Sequence, residues 1–244
     1  MKINRIQNEV QHGKKIAYNA VNIWGWGTPA GKARADRRAS YFIQYGDILA
    51  GKKVLEIGCG TGEFTKRIAQ TGADITAIDV SPDLLEIARK TITDVTVGFH
   101  VQNVEKLDFE DGSFDAVIGS SILHHLNLTP AIKEVYRVLK RGGGIVFTEP
   151  NMLNPQIWLE RNITIIRKLT NNSPDETAFV RWALKKELIK TGFKDISIRP
   201  FDFLHPLTPN ILIPVISKIG NLVESIPLVR EIAGSLLIYA SREQ

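Results

Sequence analysis

The stretch Val54-Leu55-Glu56-Ile57-Gly58-Cys59-Gly60-Thr61-Gly62-Glu63-Phe64 decides the fold of this chain of 244 residues. Its apolar start predicts a buried strand, and three alternate glycines separate that strand from a helix. Glycine adopts left-handed backbone angles and lets a ligand approach the main chain closely. The stretch therefore predicts a ligand site at the carboxyl end of the strand.

The glycine spacing distinguishes between two kinds of ligand. A dinucleotide-binding turn places its third glycine three residues after the second, where this chain has Glu63. A glutamate at a helix start also opposes a pyrophosphate at the positive helix end. Together with Glu56, the pattern favours a ligand that carries an ammonium group and no phosphate.

Short apolar runs alternate with helix-like segments after this stretch, which predicts an α/β fold with a mostly parallel sheet. Capping hydroxyls before prolines, at Ser81, Thr129 and Ser173, predict the starts of three helices. Glycines at 142–144 and 192 are expected helix stops. Predicted helices cover residues 82–91, 130–140 and 174–191, and predicted strands cover 54–57, 75–78, 95–101, 114–119, 145–148, 195–200 and 235–240.

Five segments between Arg38 and Pro150, in this order, resemble the class I S-adenosylmethionine-dependent methyltransferases. They are the glycine turn, Asp79-Val80-Ser81-Pro82, residues 102–109, residues 114–126 and residues 137–144. The resemblance implies a Rossmann-like sheet of seven strands, mostly parallel with an antiparallel last strand and helices on both faces. It also implies S-adenosyl-L-methionine as the cofactor and S-adenosyl-L-homocysteine as its product.

The resemblance assigns cofactor roles to residues that follow the strands. In the family, the acidic residue at Asp79 chelates the ribose hydroxyls, and an acidic residue at the position of Asn103 binds the adenine amino group. An asparagine oxygen also accepts a hydrogen bond, so the replacement is conservative. The predicted cofactor-binding residues are Arg38, Glu56, Gly58, Cys59, Gly60, Gly62, Asp79, Val80, Asn103, Val104 and Ser120.

Arg38 is included because it lies 20 residues before Gly58, where ubiquinone-type phenol O-methyltransferases carry a cofactor-contacting arginine. A guanidinium suits the methionyl carboxylate. The alternative is that Arg34, Arg37 and Arg38 form a solvated basic face.

The predicted catalytic residues are His124, His125 and Glu149, which follow the fourth and fifth strands. Histidine suits a general base because its ordinary pKa is about 6.5. Leu-His-His-Leu also occurs in the family among enzymes with unrelated acceptors, which leaves a structural role open. No acidic cluster has metal-ligand spacing, so no metal site is predicted.

Three segments are expected from charge and composition: an N-terminal helical lid over 1–50, a cofactor core over 51–150, and a completion of the sheet over 151–244. Insertions at about 151–172 and 201–234 are expected to cover the cofactor. Aromatic side chains of the N-terminal and C-terminal segments are expected either to line an acceptor pocket or to pack in the lid's own core. They are Trp24, Trp26, Trp158, Phe179, Trp182, Phe201 and Phe203.

The predicted function is methyl transfer to oxygen, nitrogen or carbon of a small acceptor, lipid-like or sugar-like. The net charge is +5 because basic flanks, at +5 over 1–51 and +3 over 151–244, outweigh a core at −3. An RNA or protein methyltransferase that docks through these flanks is therefore an alternative. No interleaving of basic and aromatic residues is visible, and nucleic acid is not expected. A catalytically inactive cofactor-binding protein is a further alternative. One cysteine and a polar N-terminus predict a cytoplasmic location.

Residues 215–226 predict an amphipathic helix, with Val215, Ile219, Leu222 and Ile226 among its apolar positions. Two interpretations are open. The helix packs on the sheet edge or caps the active site, or it makes a peripheral contact with a membrane. The oligomeric state is not predicted.

Overall fold

The computed structural model describes residues 2–163 and 178–244, and it contains one sheet of seven strands. The strands are β1 Lys53–Ile57, β2 Asp74–Asp79, β3 Val97–Val101, β4 Phe114–Ser120, β5 Leu139–Pro150, β6 Lys194–Phe201 and β7 Ser235–Ser241. Their order in the sheet is β3-β2-β1-β4-β5-β7-β6. Strand β7 runs antiparallel to both of its neighbours, and the other pairs are parallel. The predicted Rossmann-like sheet is confirmed.

Helices cover both faces of the sheet. They are α1 Lys2–Ile16, α2 Ala20–Ile23, α3 Pro29–Tyr45, α4 Thr65–Ile68, α5 Pro82–Thr91, α6 Leu128–Val138, α7 Pro155–Asn162, α8 Arg181–Thr191 and α9 Ile213–Val223. Side chains alternate along β1, so Val54 packs with α3 and α5 on one face while Leu55 and Ile57 pack with α6 and α8 on the other. None of the helices in the described residues is long and apolar enough to cross a membrane.

Local signals located some helix ends and missed others. Ser81 caps α5, because its hydroxyl accepts from the Leu84 amide, and Gly192 ends α8 in a left-handed conformation, as predicted. The cap predicted at Thr129 is wrong, since α6 begins at Leu128 and its preceding Asn127 amide donates to Glu105. The glycines at 142–144 lie inside β5 and do not stop α6. The cap predicted at 173–176 lies outside the described residues.

A buried carboxylate connects the N-terminal α3 to the C-terminal part of the sheet. Asp202, just after β6, accepts from Arg34 at 2.8 Å and Arg38 at 2.7 Å, and Arg38 also donates to Ser235 at 2.7 Å. Burial alone would raise the pKa of Asp202, but the two guanidiniums outweigh it and lower the pKa to about 2. Burial lowers the pKa of Arg38 to about 10, so Arg38 and Asp202 are both charged at neutral pH.

We expect Asp202→Asn to lower the free energy of unfolding by on the order of 3 kcal/mol, because it leaves two guanidiniums buried without their anion. Urea denaturation at pH 7 measures the loss. The matched control is Asp36→Asn, which removes an exposed partner of Arg67 and should cost less than about 1 kcal/mol.

The ion pair between Asp202 and the two arginines also makes the stability of the fold depend on pH. Because the pKa of Asp202 is about 2 in the folded chain and about 3.9 in an unfolded one, the ion pair contributes its full stability above about pH 4. This contribution is lost as the pH falls toward 2. The difference between the wild type and Asp202→Asn should shrink over that interval, and a constant difference would contradict the assignment.

Candidate active site

A cavity of about 360 Å³ lies at the carboxyl ends of β1, β2 and β4. Ligands of open α/β sheets bind at this edge. Eight of the eleven predicted cofactor-binding residues line the cavity: Gly58, Cys59, Gly60, Asp79, Val80, Asn103, Val104 and Ser120.

The glycine turn has the backbone conformation that its sequence requires. Gly58, Gly60 and Gly62 have φ angles of +65°, +53° and +81°, which residues with a side chain rarely adopt. A Cβ atom at Gly60 would lie 2.9 Å from the Trp24 ring, and one at Gly58 would lie 2.5 Å from Ile122. Larger residues would therefore fill the space between the turn and its neighbours.

Asp79 ends β2 beside this turn. Its Oδ2 accepts from the Gly60 amide and its Oδ1 accepts from the Ser81 amide, both at 2.9 Å. Burial raises the pKa of Asp79, while the two amides oppose that shift. Each carboxylate oxygen keeps a second lone pair with which to accept from a ligand hydroxyl.

The other two polar positions are also held by their neighbours. Asn103 Oδ1 accepts from the Glu105 amide at 3.0 Å, and Ser120 Oγ accepts from the Thr148 hydroxyl at 2.9 Å. These bonds fix the loops after β3 and β4 at the edge of the cavity.

Three predicted cofactor-binding residues do not line the cavity. Glu56 is buried behind the turn beside Thr65, where burial and the nearby Asp79 carboxylate raise its pKa to about 8. The left-handed Gly62 packs against the end of α5, since a Cβ there would lie 3.3 Å from Ala88 and 2.5 Å from Ile92, which follows the helix. Arg38 is held by Asp202, so the expected direct contact with the cofactor is corrected to a structural ion pair.

His124 and Glu149 form a buried pair at the exits of β4 and β5. His124 Nδ1 lies 2.7 Å from Glu149 Oε2, and Glu149 Oε1 accepts from the Ile122 and Leu123 amides. His124 lines the cavity, whereas Glu149 does not. The expected contact between Glu149 and an acceptor is therefore corrected: its carboxylate positions His124.

Helix α1 supplies cavity residues that sequence reasoning missed. Arg5 donates to the His124 carbonyl oxygen at 3.3 Å, and Glu9 Oε2 lies 3.2 Å from His125 Nδ1. Gly13 packs against Ser81, where a Cβ would approach the hydroxyl to 2.5 Å. The sequence does carry a signal for this packing, because Ile6, Val10, Gly13 and Ile16 are spaced so that they share one face of a helix.

Beyond the strand ends of the core, the cavity is lined by nine residues of the N-terminal flank, whereas the described residues of the predicted C-terminal insertions contribute one. Trp24 and Trp26 line it, but no residue of 201–234 does, and from 151–163 only Arg161 does. Phe201 lies in the core beneath Arg37 and Arg38, and Phe203 packs on α9. Trp158 and Trp182 are half-exposed.

The donor set fits the cofactor that the sequence resemblance implies. Among the described residues that line the cavity there is no lysine, and both arginines, Arg5 and Arg161, come from α1 and α7 rather than from the glycine turn. Asp79 brings negative charge to the turn, which suits a cationic ligand and opposes a pyrophosphate, whereas the charge of Glu63 is paired with Lys66 and Arg67. In the described part of the chain, no group of three acidic, histidine or cysteine side chains could hold a metal ion.

Comparison with known proteins agrees with this geometry. Residues 55–147 match the family model described as a methyltransferase domain. The ubiquinone biosynthesis O-methyltransferase of Alkalilimnicola ehrlichii is 28% identical over 215 residues, which cover 81% of this chain and 87% of that protein. The Xanthomonas oryzae enzyme of the same name is 41% identical over 107 residues, 42% of this chain and 45% of that enzyme, so this match spans less than half of its length.

A solved structure supports the fold over almost the whole chain. Haemonchus contortus phosphoethanolamine N-methyltransferase 2, in complex with phosphomonomethylethanolamine and S-adenosylhomocysteine, superposes with a TM-score of 0.68 and 16% identity. The superposition covers 96% of this chain and 60% of that one. With the glycine turn and Asp79, the matched methyltransferase domain over residues 55–147 supports the resemblance to class I S-adenosylmethionine-dependent methyltransferases and S-adenosylmethionine as the cofactor.

Proposed function

We propose that the protein methylates a hydroxyl group of a small-molecule acceptor and that His124 is the general base. The observation that carries this proposal is the 2.7 Å contact between His124 Nδ1 and Glu149, because it holds a histidine in the wall of the cofactor cavity. Two relatives that are named O-methyltransferases support oxygen as the accepting atom.

The cofactor-binding roles follow from the lining residues. S-adenosylmethionine supplies, when bound, an electrophilic methyl group on a sulfonium, and breaking the bond between sulfur and this methyl group leaves S-adenosylhomocysteine. In our proposal Asp79 accepts from the ribose hydroxyls, Asn103 and Val104 bind the adenine, and the main chain from Gly58 to Gly60 approaches the methionyl part beside Ser120. These contacts orient the reactants, which is the main task of the protein in an in-line displacement.

The proton of the acceptor hydroxyl is the second requirement. A carboxylate at Nδ1 favours the tautomer in which Nδ1 carries the proton, so the lone pair of the ring lies on Nε2. His124 would then accept the proton of the acceptor hydroxyl at Nε2, and Glu149 would stabilise the resulting imidazolium. The amides of Ile122 and Leu123 hold Glu149 in place for this role.

A small acceptor agrees with the way the cavity is covered. Trp24 lies over the glycine turn, and α1 packs beside Ser81 and is held at the exit of β4 by Arg5 and Glu9. This cover narrows the approach to the cavity beside His124, which supports a small acceptor over a large RNA or protein. The single cysteine, Cys59, is buried, which supports the expected cytoplasmic location.

Asp79→Ala should weaken the binding of S-adenosylhomocysteine by roughly 10²-fold to 10⁴-fold, because each of the two hydrogen bonds from the ribose hydroxyls to a charged group contributes about 1.5–3 kcal/mol. Isothermal titration calorimetry measures the dissociation constant. The matched control is Asp74→Ala, at the exposed start of the same strand, which should bind as the wild type does. Unchanged binding by Asp79→Ala would falsify the assigned role.

His124→Ala should lower kcat by roughly 10²-fold to 10⁴-fold, the usual contribution of a positioned base. It should leave the affinity for S-adenosylhomocysteine within about threefold. Transfer of a labelled methyl group is measured with the best acceptor from a screen of phenols, amines, sugars and lipids. In the wild type, kcat/KM should rise with pH as the imidazole loses its proton, and the variant should lose this dependence.

Two further variants separate a base from a structural histidine. Glu149→Gln should lower kcat less than His124→Ala does, because the amide still holds the loop but no longer stabilises an imidazolium. His100→Ala, on the exposed β3, should have no effect. If His124→Ala keeps the kcat and the pH profile of the wild type, His124 is not the general base. If no acceptor class is methylated by the wild type, the proposed function as a whole is rejected.

A further inference from the structure

An aliphatic surface is exposed on the C-terminal insertion. Residues 207–232 contain ten of the twenty large apolar side chains that are exposed in the described part of the chain. The most exposed of the ten are Ile211 and Leu228, at 85% and 86%. The ten residues, which we call the 207–232 surface, are Leu207, Ile211, Leu212, Val215, Ile219, Leu222, Ile226, Leu228, Val229 and Ile232.

Helix α9 and the turn after it direct a complete stripe of this surface outward. Val215, Ile219, Leu222 and Ile226 are spaced by three or four residues, so they lie on one side, and all four are exposed. The helix is attached by its other side, where Gly220 packs against Phe203. Of the interpretations of this amphipathic segment, capping of the active site is therefore wrong, since no residue of α9 lines the cavity.

The charges around the surface favour an anionic partner. Its two acidic residues are neutralised within the protein, because Glu224 accepts two hydrogen bonds from Arg37 and Glu231 pairs with Arg181 at 3.0 Å. Lys218, on the polar side of α9, and Arg230, whose Nε lies 3.9 Å from Glu231 Oε1, are the basic residues of the segment. A basic, apolar surface complements a membrane that contains anionic lipids.

The composition favours lipid over a protein partner. Protein interfaces are enriched in aromatic residues, methionine and arginine, whereas residues 207–232 contain no aromatic residue and no methionine. Beside the surface, Asn154 at the start of α7 donates to the Ile232 carbonyl oxygen at 2.8 Å. The same helix carries the half-exposed Trp158, a residue type that concentrates at membrane interfaces.

We propose that the 207–232 surface docks the protein on the headgroup region of an anionic membrane, with α9 lying in the plane of the interface. The surface also adjoins the cavity wall, because Thr28 donates to the Pro206 carbonyl oxygen at 2.7 Å and Pro206 packs on Gly25, in the loop of Trp24 and Trp26. Docking thus occurs next to the segment that covers the cofactor cavity. The docking proposal rests on the exposed surface alone and does not depend on which acceptor is methylated.

The test is sedimentation of the full chain with vesicles of phosphatidylcholine alone or mixed equally with phosphatidylglycerol. We expect the wild type to bind the mixed vesicles and the double variant Ile219→Asp/Leu222→Asp to lose at least roughly tenfold in partition coefficient, because two buried apolar contacts with lipid are removed. Lys218→Glu should weaken binding to the mixed vesicles only. The matched control is Ile189→Asp, an equally exposed apolar position on α8, which should bind within about twofold of the wild type.

Calorimetry with S-adenosylhomocysteine checks that each variant is folded, because the substituted residues lie outside the cavity. The two proposals are tested by different measurements: vesicle binding tests membrane docking, and methyl transfer tests the proposed function. The proposal is overturned if the wild type does not sediment with the mixed vesicles, or if Ile189→Asp loses as much binding as the double variant. A dimer in light scattering that the double variant abolishes, without vesicle binding, would instead identify a second copy of the chain as the partner.

Discussion

The glycine turn after β1 is the constraint on which the site depends. Its three left-handed residues bring four separate parts of the chain against one short loop: Trp24 lies over Gly60, Ile122 over Gly58, Ile92 of the segment after α5 over Gly62, and Asp79 accepts from the Gly60 amide. A side chain at any of these glycines would displace one of those neighbours. Because β1 lies between β2 and β4 in the sheet, the turn sets where Trp24, Asp79 and the exit of β4 meet.

Two buried carboxylates extend this arrangement outward. Glu149 ends β5 and holds the loop after β4 through two amides and the His124 ring, so that two strand ends become one rigid wall. Asp202 performs a similar task at the other side of the sheet, where it joins α3 to the segment after β6. A charge is costly to bury unless it is paired, so each of these groups also specifies which elements must lie beside it.

The two flanks have different tasks in this arrangement. The N-terminal flank covers the cofactor cavity through α1 and the loop of Trp24 and Trp26, while the C-terminal insertion faces solvent with an aliphatic surface. The basic charge of both flanks has a partly structural explanation, because Arg34, Arg37, Arg38 and Arg181 pair with acidic residues of the C-terminal part. The flanks meet at the contact between Thr28 and Pro206.

The sequence by itself determined the order of the strands along the chain, the glycine turn, Asp79 and the cap at Ser81, because each of these is written in adjacent residues whose backbone or hydrogen-bonding preference is local. It also placed His124 at the exit of β4. Only the tertiary structure decided that Glu149 positions His124, that Arg38 pairs with Asp202, and that α1 rather than the 201–234 insertion closes the cavity. These outcomes depend on pairings between residues 25 to 164 positions apart, and no local pattern encodes which distant partner compensates a buried charge or covers an apolar face.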